Sequence, residues 1–372
     1  MPRMMPKYGL RRRSARRRPG LAATIAAMNN AAPFPPDVPH RAPDSDSSER
    51  PASEGLTPST HTPARQLDGA RIRSRLAASC RGWQIEVVDT TGSTNLDLLA
   101  RLREDVACAP IVRAALQQTA GRGQRGRAWQ SLPGDSLTFS LAYVMPGGPA
   151  ELAGLSLATG VAVVEGLSDL PLSAPQALGL KWPNDVLLRG GKLAGILIET
   201  VPAGPGRIGV VIGIGVNLRQ AGDVASRIDD ATAAANVASA APAASGAGTP
   251  TATAVPATPP AALESVLVAP DMSSVLTALV QRLAAMLERF AAQGFGAFRE
   301  DWEAMHAYGG ASIRVIEHGR DVLHGMALGV DSQGCLRVAT HEGERTIASG
   351  EVSVRLLDAS SARDTTDTRG AR

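Results

Sequence analysis

From about residue 80 the apolar residues fall into spacings that predict regular structure, whereas the chain before that point shows no sustained apolar period. "GWQIEVVD" (82–89) reads as a strand. Ser93 or Thr94 then caps "TNLDLLARLRE" (94–104), a helix whose apolar stripe is expected at Leu96, Leu99 and Leu102. "PIVRAALQQ" (110–118) predicts a buried strand, "DSLTFSLAYVM" (135–145) another, and "ELAGLSLATGVAVVEGL" (151–167) an amphipathic helix. "ALGLKWPNDVLL" (177–188) and "KLAGILIET" (192–200) flank Arg189-Gly190-Gly191, which predicts a hairpin. "RIGVVIGIGVNL" (207–218) is a further buried strand, its glycines implying close backbone approach.

Helical periods resume in "SSVLTALVQRLAAMLERFAAQ" (273–293) and "FGAFREDWEAMHAY" (295–308). Short alternating runs with turn signals between them then fill 311–357 and predict a small β-barrel. Strands, helices and a hairpin together point to an α+β fold with a largely antiparallel or mixed sheet. The expected organisation is a disordered extension over 1–78, a main α+β domain over 79–308, a small β domain over 309–358 and a disordered tail over 359–372. Residues 231–262 are almost entirely Ala, Pro, Thr, Ser and Gly, too poor in large apolar side chains to build a core, and are expected to form a disordered surface insertion.

Composition changes this picture in three ways. Aromatic residues are only 3% of the chain, so the core must be built from Leu, Val, Ile and Ala. The net charge is +3, yet residues 1–19 carry seven Arg and one Lys with no acid, so the remainder is net negative and the basic character belongs to the N-terminal extension. "LRRRSARRRPG" is compatible with nucleic-acid or anionic-surface binding, or with a solvated disordered extension; the second is preferred because the segment around it is rich in Pro, Ser, Ala and Arg and has no sustained apolar period. No secretory signal is expected, nor any run of about 20 apolar residues. Three scattered cysteines, Cys80, Cys108 and Cys335, suit a reducing cytoplasm rather than a disulfide framework.

Four segments carry candidate chemistry. In "AGRGQRGRAWQS" (120–131), Gly121, Gly123 and Gly126 free the backbone to offer N–H groups, while Arg122, Arg125 and Arg127 supply forked donors for phosphate or carboxylate. In "KWPNDV" (181–186), Lys181 ends a buried strand and needs an anion to meet; Pro183 forces a turn, so Lys181 is expected at the sheet rim. The plain alternative is a snorkelling lysine followed by two turn formers, Asn184 and Asp185. "GSTNLD" (92–97) places Ser93, Thr94 and Asn95 at a helix start, where they serve either as ordinary caps or as polar ligand contacts. "GIGVN" (213–217) is too short for a dinucleotide fingerprint and reads equally as a tightly packed strand. No metal-site spacing, G-x-S-x-G or P-loop occurs.

The order "STN", "QTAGRGxxGRxW", "KWPNDV", "KLAGILIE", "GIGVN", followed by a small C-terminal β module, closely resembles the biotin–protein ligases over about residues 83–357, the 231–262 insertion excepted. The resemblance implies a class II synthetase-like catalytic domain and an SH3-like C-terminal β-barrel. It also implies ATP-dependent formation of biotinyl-5′-AMP with Mg²⁺, then transfer of biotin to a lysine of the biotin carboxyl carrier protein of acetyl-CoA carboxylase, and of other biotin-dependent carboxylases. It implies Lys181 and Arg122 as catalytic residues. Ser93, Thr94, Asn95, Gln118, Arg122, Gly123, Gln124 and Lys181 are implied to bind biotin, and Arg125, Arg127, Lys181, Lys192 and Asn217 the nucleotide; Asn217 matches the position that contacts the nucleotide or its metal, and no side chain is singled out as a direct metal ligand. Chemically, a carboxylate must attack an α-phosphorus ringed by negative oxygens, so positioning and charge neutralisation dominate.

Two departures matter. The family's loop commonly reads G-R-G-R-x-G-R, whereas position 124 is Gln, which implies looser retention of the adenylate. Residues 1–78 show no helix-turn-helix period, so no operator DNA binding and no membrane association are expected. The rival readings are a lipoate or octanoate ligase of the same fold, and a nucleic-acid-binding protein acting through its arginine-rich segments.

Overall fold

The computed structural model describes residues 66–226, 258–318, 320–350 and 352–357, with the Arg125 side chain outside that set. The extension over 1–65, the insertion over 231–257 and the tail over 359–372 therefore lie outside the described residues.

Seven strands make one mixed sheet: β1 (Gln84–Thr91), β2 (Ile111–Gln118), β3 (Ser136–Pro146), β4 (Leu178–Lys181), β5 (Asp185–Leu188), β6 (Gly191–Pro202) and β7 (Arg207–Asn217). Their spatial order is β1-β2-β3-β7-β6-β5-β4, and β1–β2 is parallel while every other neighbouring pair is antiparallel. Parallel pairing needs a crossover, and α2 (Thr94–Glu104) supplies it. The β5–β6 hairpin turns as expected, through Arg189 and Gly190, both at positive φ.

Strand periodicity divides the core between two faces. Phe139, Leu141, Ile212 and Ile214 point to the face covered by α3 (Leu155–Ser168) and α4 (Met272–Gln293), whereas Ala142 and Val211, one residue out of phase, meet Leu98, Leu99 and Leu102 of α2. The α2 stripe is thus 98/99/102, and Leu96, expected inside, is exposed, because Leu98 better occupies the face turned to the sheet. Nor is α3 amphipathic. It is sandwiched between the sheet and α4 and is buried almost all round. Pro149–Ser168 is in fact long and apolar enough by composition to cross a membrane (20 residues, mean hydropathy 1.4), and most of that apolar surface is taken up by the protein's own core.

Two boundaries also move. A first helix, α1 (Gly69–Arg75), lies within the segment expected to be structureless; Ile72 is fully buried, and Asp68 caps it by accepting from Arg71 N. Residues 258–262, assigned to the insertion, are ordered: Lys192 N donates to Pro259 O and Ala261 N to Lys192 O, and Ala262 is buried.

The helical run expected over 295–308 is shorter, α5 (Arg299–Ala304), because the chain then pairs with β4: Leu180 N donates to Met305 O and Ala307 N to Leu180 O. Beyond it, β8 (Ser312–Glu317), β9 (Arg320–Val330), β10 (Leu336–Thr340), β11 (Gly343–Ile347) and β12 (Val352–Leu356) form a small SH3-like antiparallel domain in the order β11-β10-β9-β8-β12. The buried indole of Trp182 ties it to the large sheet by donating to Gly334 O at 3.0 Å.

Candidate functional site

On the α2 face of the sheet, β7 changes character along its length. Val211 packs under α2, but the next residues of the same phase are Gly213 and Gly215. A Cβ at Gly213 would overlap the Asn95 side chain, and one at Gly215 the Trp129 indole. The alternating glycines of "GIGVN" thus let two functional side chains lie flat on the strand.

A polar row runs above these glycines. Gln118 Oε1 accepts from Thr94 N at 2.9 Å, holding the start of α2 to the end of β2. Ser140 Oγ donates to Asn95 Oδ1 at 2.6 Å and lies 2.6 Å from Thr94 Oγ1, whose hydroxyl also reaches Gln118 Oε1 at 3.2 Å. Asn95 Nδ2 donates to Glu199 Oε2 at 2.9 Å, and Glu199 Oε1 pairs with Arg122 at 3.1 Å. Ser93, Thr94, Asn95, Gln118, Arg122, Gly123 and Gln124, all singled out from sequence, line this one cavity, with Ser140 and Trp129 added. Ser93 is the N-cap residue by backbone position, but its hydroxyl makes no capping bond, leaving it for the cavity.

A second, larger cavity adjoins the first. Four basic side chains, Arg127, Lys181, Lys192 and Arg355, and one carboxylate, Asp185, line it, together with Asn217 and Thr258. Gly123, Gln124, Trp129, Asn184 and Lys192 line both cavities and form the shared wall. The Lys192 ammonium stands 5.7 Å from the Trp129 ring centroid, a cation–π distance, and the buried Trp129 Nε1 has no hydrogen-bond partner among the described residues.

Lys181 ends β4, the edge strand of the sheet, so it stands at the rim as expected, but it is covered there. Its side chain is 4% exposed and lines only the larger cavity, because the chain after Met305 and the small β domain close over β4. Lys181 Nζ donates to Asp185 Oδ2 at 3.2 Å and to Thr258 Oγ1 at 2.8 Å, while Asp185 Oδ1 lies 2.6 Å from Lys192 Nζ. Burial pushes the Lys181 pKa down to about 8; Asp185 opposes the shift, and Arg355 and Lys192 reinforce it. For Asp185, burial alone would raise the carboxyl pKa, but Lys192 first and Lys181 second hold it below the usual carboxylate range.

Sequence reasoning missed Glu199, Ser140, Asp185, Trp129, Thr258 and Arg355. Glu199, Asp185 and Trp129 sit inside quoted motifs and were legible as such, and Ser140 is a polar residue at an inward position of an apolar strand. Arg355 and Thr258 had no signal, since tertiary packing alone carries them to the site. Asn217, as expected, lines the larger cavity; its Nδ2 donates to Lys192 O at 3.3 Å, and its buried Oδ1 is unpartnered among the described residues. No group of three or more His, Cys, Asp or Glu side chains able to hold a metal converges among the described residues.

Comparison with known proteins bears on this geometry. Residues 87–217 match the biotin/lipoate A/B protein ligase family, and residues 308–355 match the biotin protein ligase C-terminal domain. The biotin–[acetyl-CoA-carboxylase] ligase of Mycobacterium tuberculosis is 34% identical over 291 residues, 77% of this chain and 95% of that protein. The enzyme of the same description from Paracoccus denitrificans is 33% identical over 70% of this chain and 97% of its own length. A solved structure, the biotin protein ligase from Aquifex aeolicus in complex with biotin and ATP, shares the fold at TM-score 0.53 and 24% identity, over 74% of this chain and 99% of that one.

Proposed function

The chain belongs to the biotin–protein ligases, and from that membership we propose how its own side chains divide the reaction. The enzyme condenses biotin with ATP to biotinyl-5′-AMP and pyrophosphate, then passes the acyl group to a carrier-protein lysine, releasing AMP; a lipoate substrate is not favoured. The observation that carries the assignment of roles is the shared wall between a cavity rich in matched donors and acceptors and a cavity rich in cations.

Biotin's ureido ring, which has both N–H and C=O groups, fits the row Ser93, Thr94, Asn95 and Gln118, with Gly123 and Gln124 closing the loop side. The valeryl chain lies against Trp129 and Leu197, and its carboxylate reaches Lys192 and Arg122. The nucleotide phosphates occupy the larger cavity, where Arg127, Lys181, Lys192 and Asn217 meet them; Arg125, whose side chain lies outside the described residues, is kept as a nucleotide-binding residue on the family resemblance alone. Lys192, not Lys181, is the cation at the point of attack, since it faces both cavities. Lys181 neutralises charge on the nucleotide side in both steps. Preorganised cations of this kind supply transition-state stabilisation without reorganisation at the moment of reaction.

Mg²⁺ is proposed to arrive on the phosphates, where it would neutralise the leaving pyrophosphate; the unpartnered Asn217 Oδ1, a hard oxygen facing that cavity, fits it. The acceptor is the biotin carboxyl carrier protein of acetyl-CoA carboxylase, and other biotin-dependent carboxylases are proposed as further acceptors. We assign the enzyme to the cytoplasm, consistent with Cys80, Cys108 and Cys335 all being free thiols. It is proposed to ligate without binding operator DNA, and a sequence-specific, salt-resistant gel shift would contradict this.

The test is biotin- and ATP-dependent labelling of a carrier domain. Lys192→Ala and Lys181→Ala should each lower the rate by about 100-fold. Labelling at the wild-type rate in Lys192→Ala would remove the proposed point of attack.

A further inference from the structure

Lys181 is held from a part of the chain that composition assigned to a featureless insertion. Its ammonium has three N–H donors; one goes to Asp185 Oδ2 at 3.2 Å and one to Thr258 Oγ1 at 2.8 Å. Thr258 is flanked on both sides. The segment that follows it is bonded to the backbone of Lys192, through Lys192 N to Pro259 O at 2.7 Å and Ala261 N to Lys192 O at 2.9 Å. A Cβ at Gly191 would crowd Ala261 and the Pro259 carbonyl, so glycine at the head of β6 is what lets the segment approach. The Tyr308 side chain, where the chain enters the small β domain, lies beside the Thr258 hydroxyl. A hydroxyl carries one proton, and an ammonium has no lone pair to accept it. Lys181 can therefore only donate, and a Thr258 lone pair faces it whichever way the Thr258 proton turns.

We propose that Thr258 is a positioning residue for adenylate formation: with Tyr308 behind it and Asp185 opposite, it fixes the Lys181 ammonium so that its third N–H is aimed into the larger cavity at the nucleotide phosphates. The inference rests on the assignment of Lys181 to the nucleotide side. Without Thr258 the ammonium keeps one anchor and is free to swing. It also loses a hydrogen bond that favours its charged form. The charged and titratable groups around it are Asp185 of β5, Lys192 of β6, Arg355 of β12 and, through Thr258, Tyr308; of these only Asp185 favours the protonated amine. Removing the hydroxyl therefore lowers the pH at which Lys181 discharges.

The experiment measures biotin-dependent ATP–pyrophosphate exchange across pH in the full chain and in Thr258→Val, Thr258→Ser, Tyr308→Phe and Lys181→Met. Thr258→Val is expected to lose about tenfold in kcat/KM for ATP near pH 8 and to move the alkaline limb down by about one pH unit. Thr258→Ser, which retains the hydroxyl, recovers the position of the limb. Tyr308→Phe, which removes the hydroxyl beside Thr258, moves the limb in the same direction by less, and carries the test if the valine variant does not fold. An alkaline limb left in place in both Thr258→Val and Tyr308→Phe, with Lys181→Met inactive, overturns the inference alone. Full exchange activity in Lys181→Met overturns the assignment of Lys181 on which it rests.

Discussion

The Asp185 carboxylate lies 2.6 Å from the Lys192 ammonium, and its other oxygen accepts from Lys181 at 3.2 Å, so one acid holds two lysines on the wall of the cation-rich cavity. At the sequence level Asp185 reads as a turn former after Pro183. In the fold it keeps two like charges close together.

Asp185→Asn removes the anion and leaves two ammonium groups facing each other in a buried site. The expected loss is about 3 kcal/mol of unfolding free energy, because breaking a buried pair strands its partner. Urea denaturation at neutral pH measures it. A loss below about 1 kcal/mol would mean that the lysines relax into solvent and that Asp185 does not hold them.

The lowered Lys181 pKa makes a signed prediction. Its folded value, about 8, lies below the ordinary 10.5, so between those values the unfolded chain binds more protons. The cost of burying the charge is present in full below about pH 8 and is relieved as pH rises toward 10.5, so this group contributes stability that increases over that window. Activity runs the other way. As the free enzyme loses the cation above about pH 8, kcat/KM for adenylation falls, and in Lys181→Arg, which stays charged, the alkaline fall is absent. A pH profile of pyrophosphate exchange with identical alkaline limbs in both proteins would refute this.

The glycines of β7 predict separable binding defects. Gly213→Ala pushes on Asn95, which lies in the smaller cavity alone, and is expected to weaken biotin binding by about tenfold while sparing ATP. Gly215→Ala pushes on Trp129, which lines both cavities, and should weaken both ligands. Isothermal titration with each ligand separates the two, and equal losses of both ligands in Gly213→Ala would count against the assignment of the cavities.

Gln124 lies on the shared wall, at the loop position where the family resemblance implies an arginine. Gln124→Arg adds a cation beside Lys192 and is expected to slow release of biotinyl-5′-AMP by about tenfold, a charge-assisted contact being worth one to two kcal/mol more than a neutral one. Trapping of released adenylate by an external amine is the readout, and an unchanged release rate would dismiss a retention role for this position.

Local pattern alone determined the strands around the site, the β5–β6 hairpin and the loop from Gly121 to Arg127, because period-2 burial and turn chemistry are written in neighbouring residues. That Ser93, Thr94, Asn95, Gln118 and Arg122 share one site was implied by the family resemblance rather than by local pattern, and the fold brings them to one cavity. Burial depth and long-range closure were decided only in three dimensions. Lys181 stands at the rim as expected, but the chain after Met305 and the small β domain cover it, and α3 looked amphipathic until α4 closed its second face. Thr258 and Arg355 reach the cation-rich cavity through contacts between segments far apart in sequence, which no local spacing encodes.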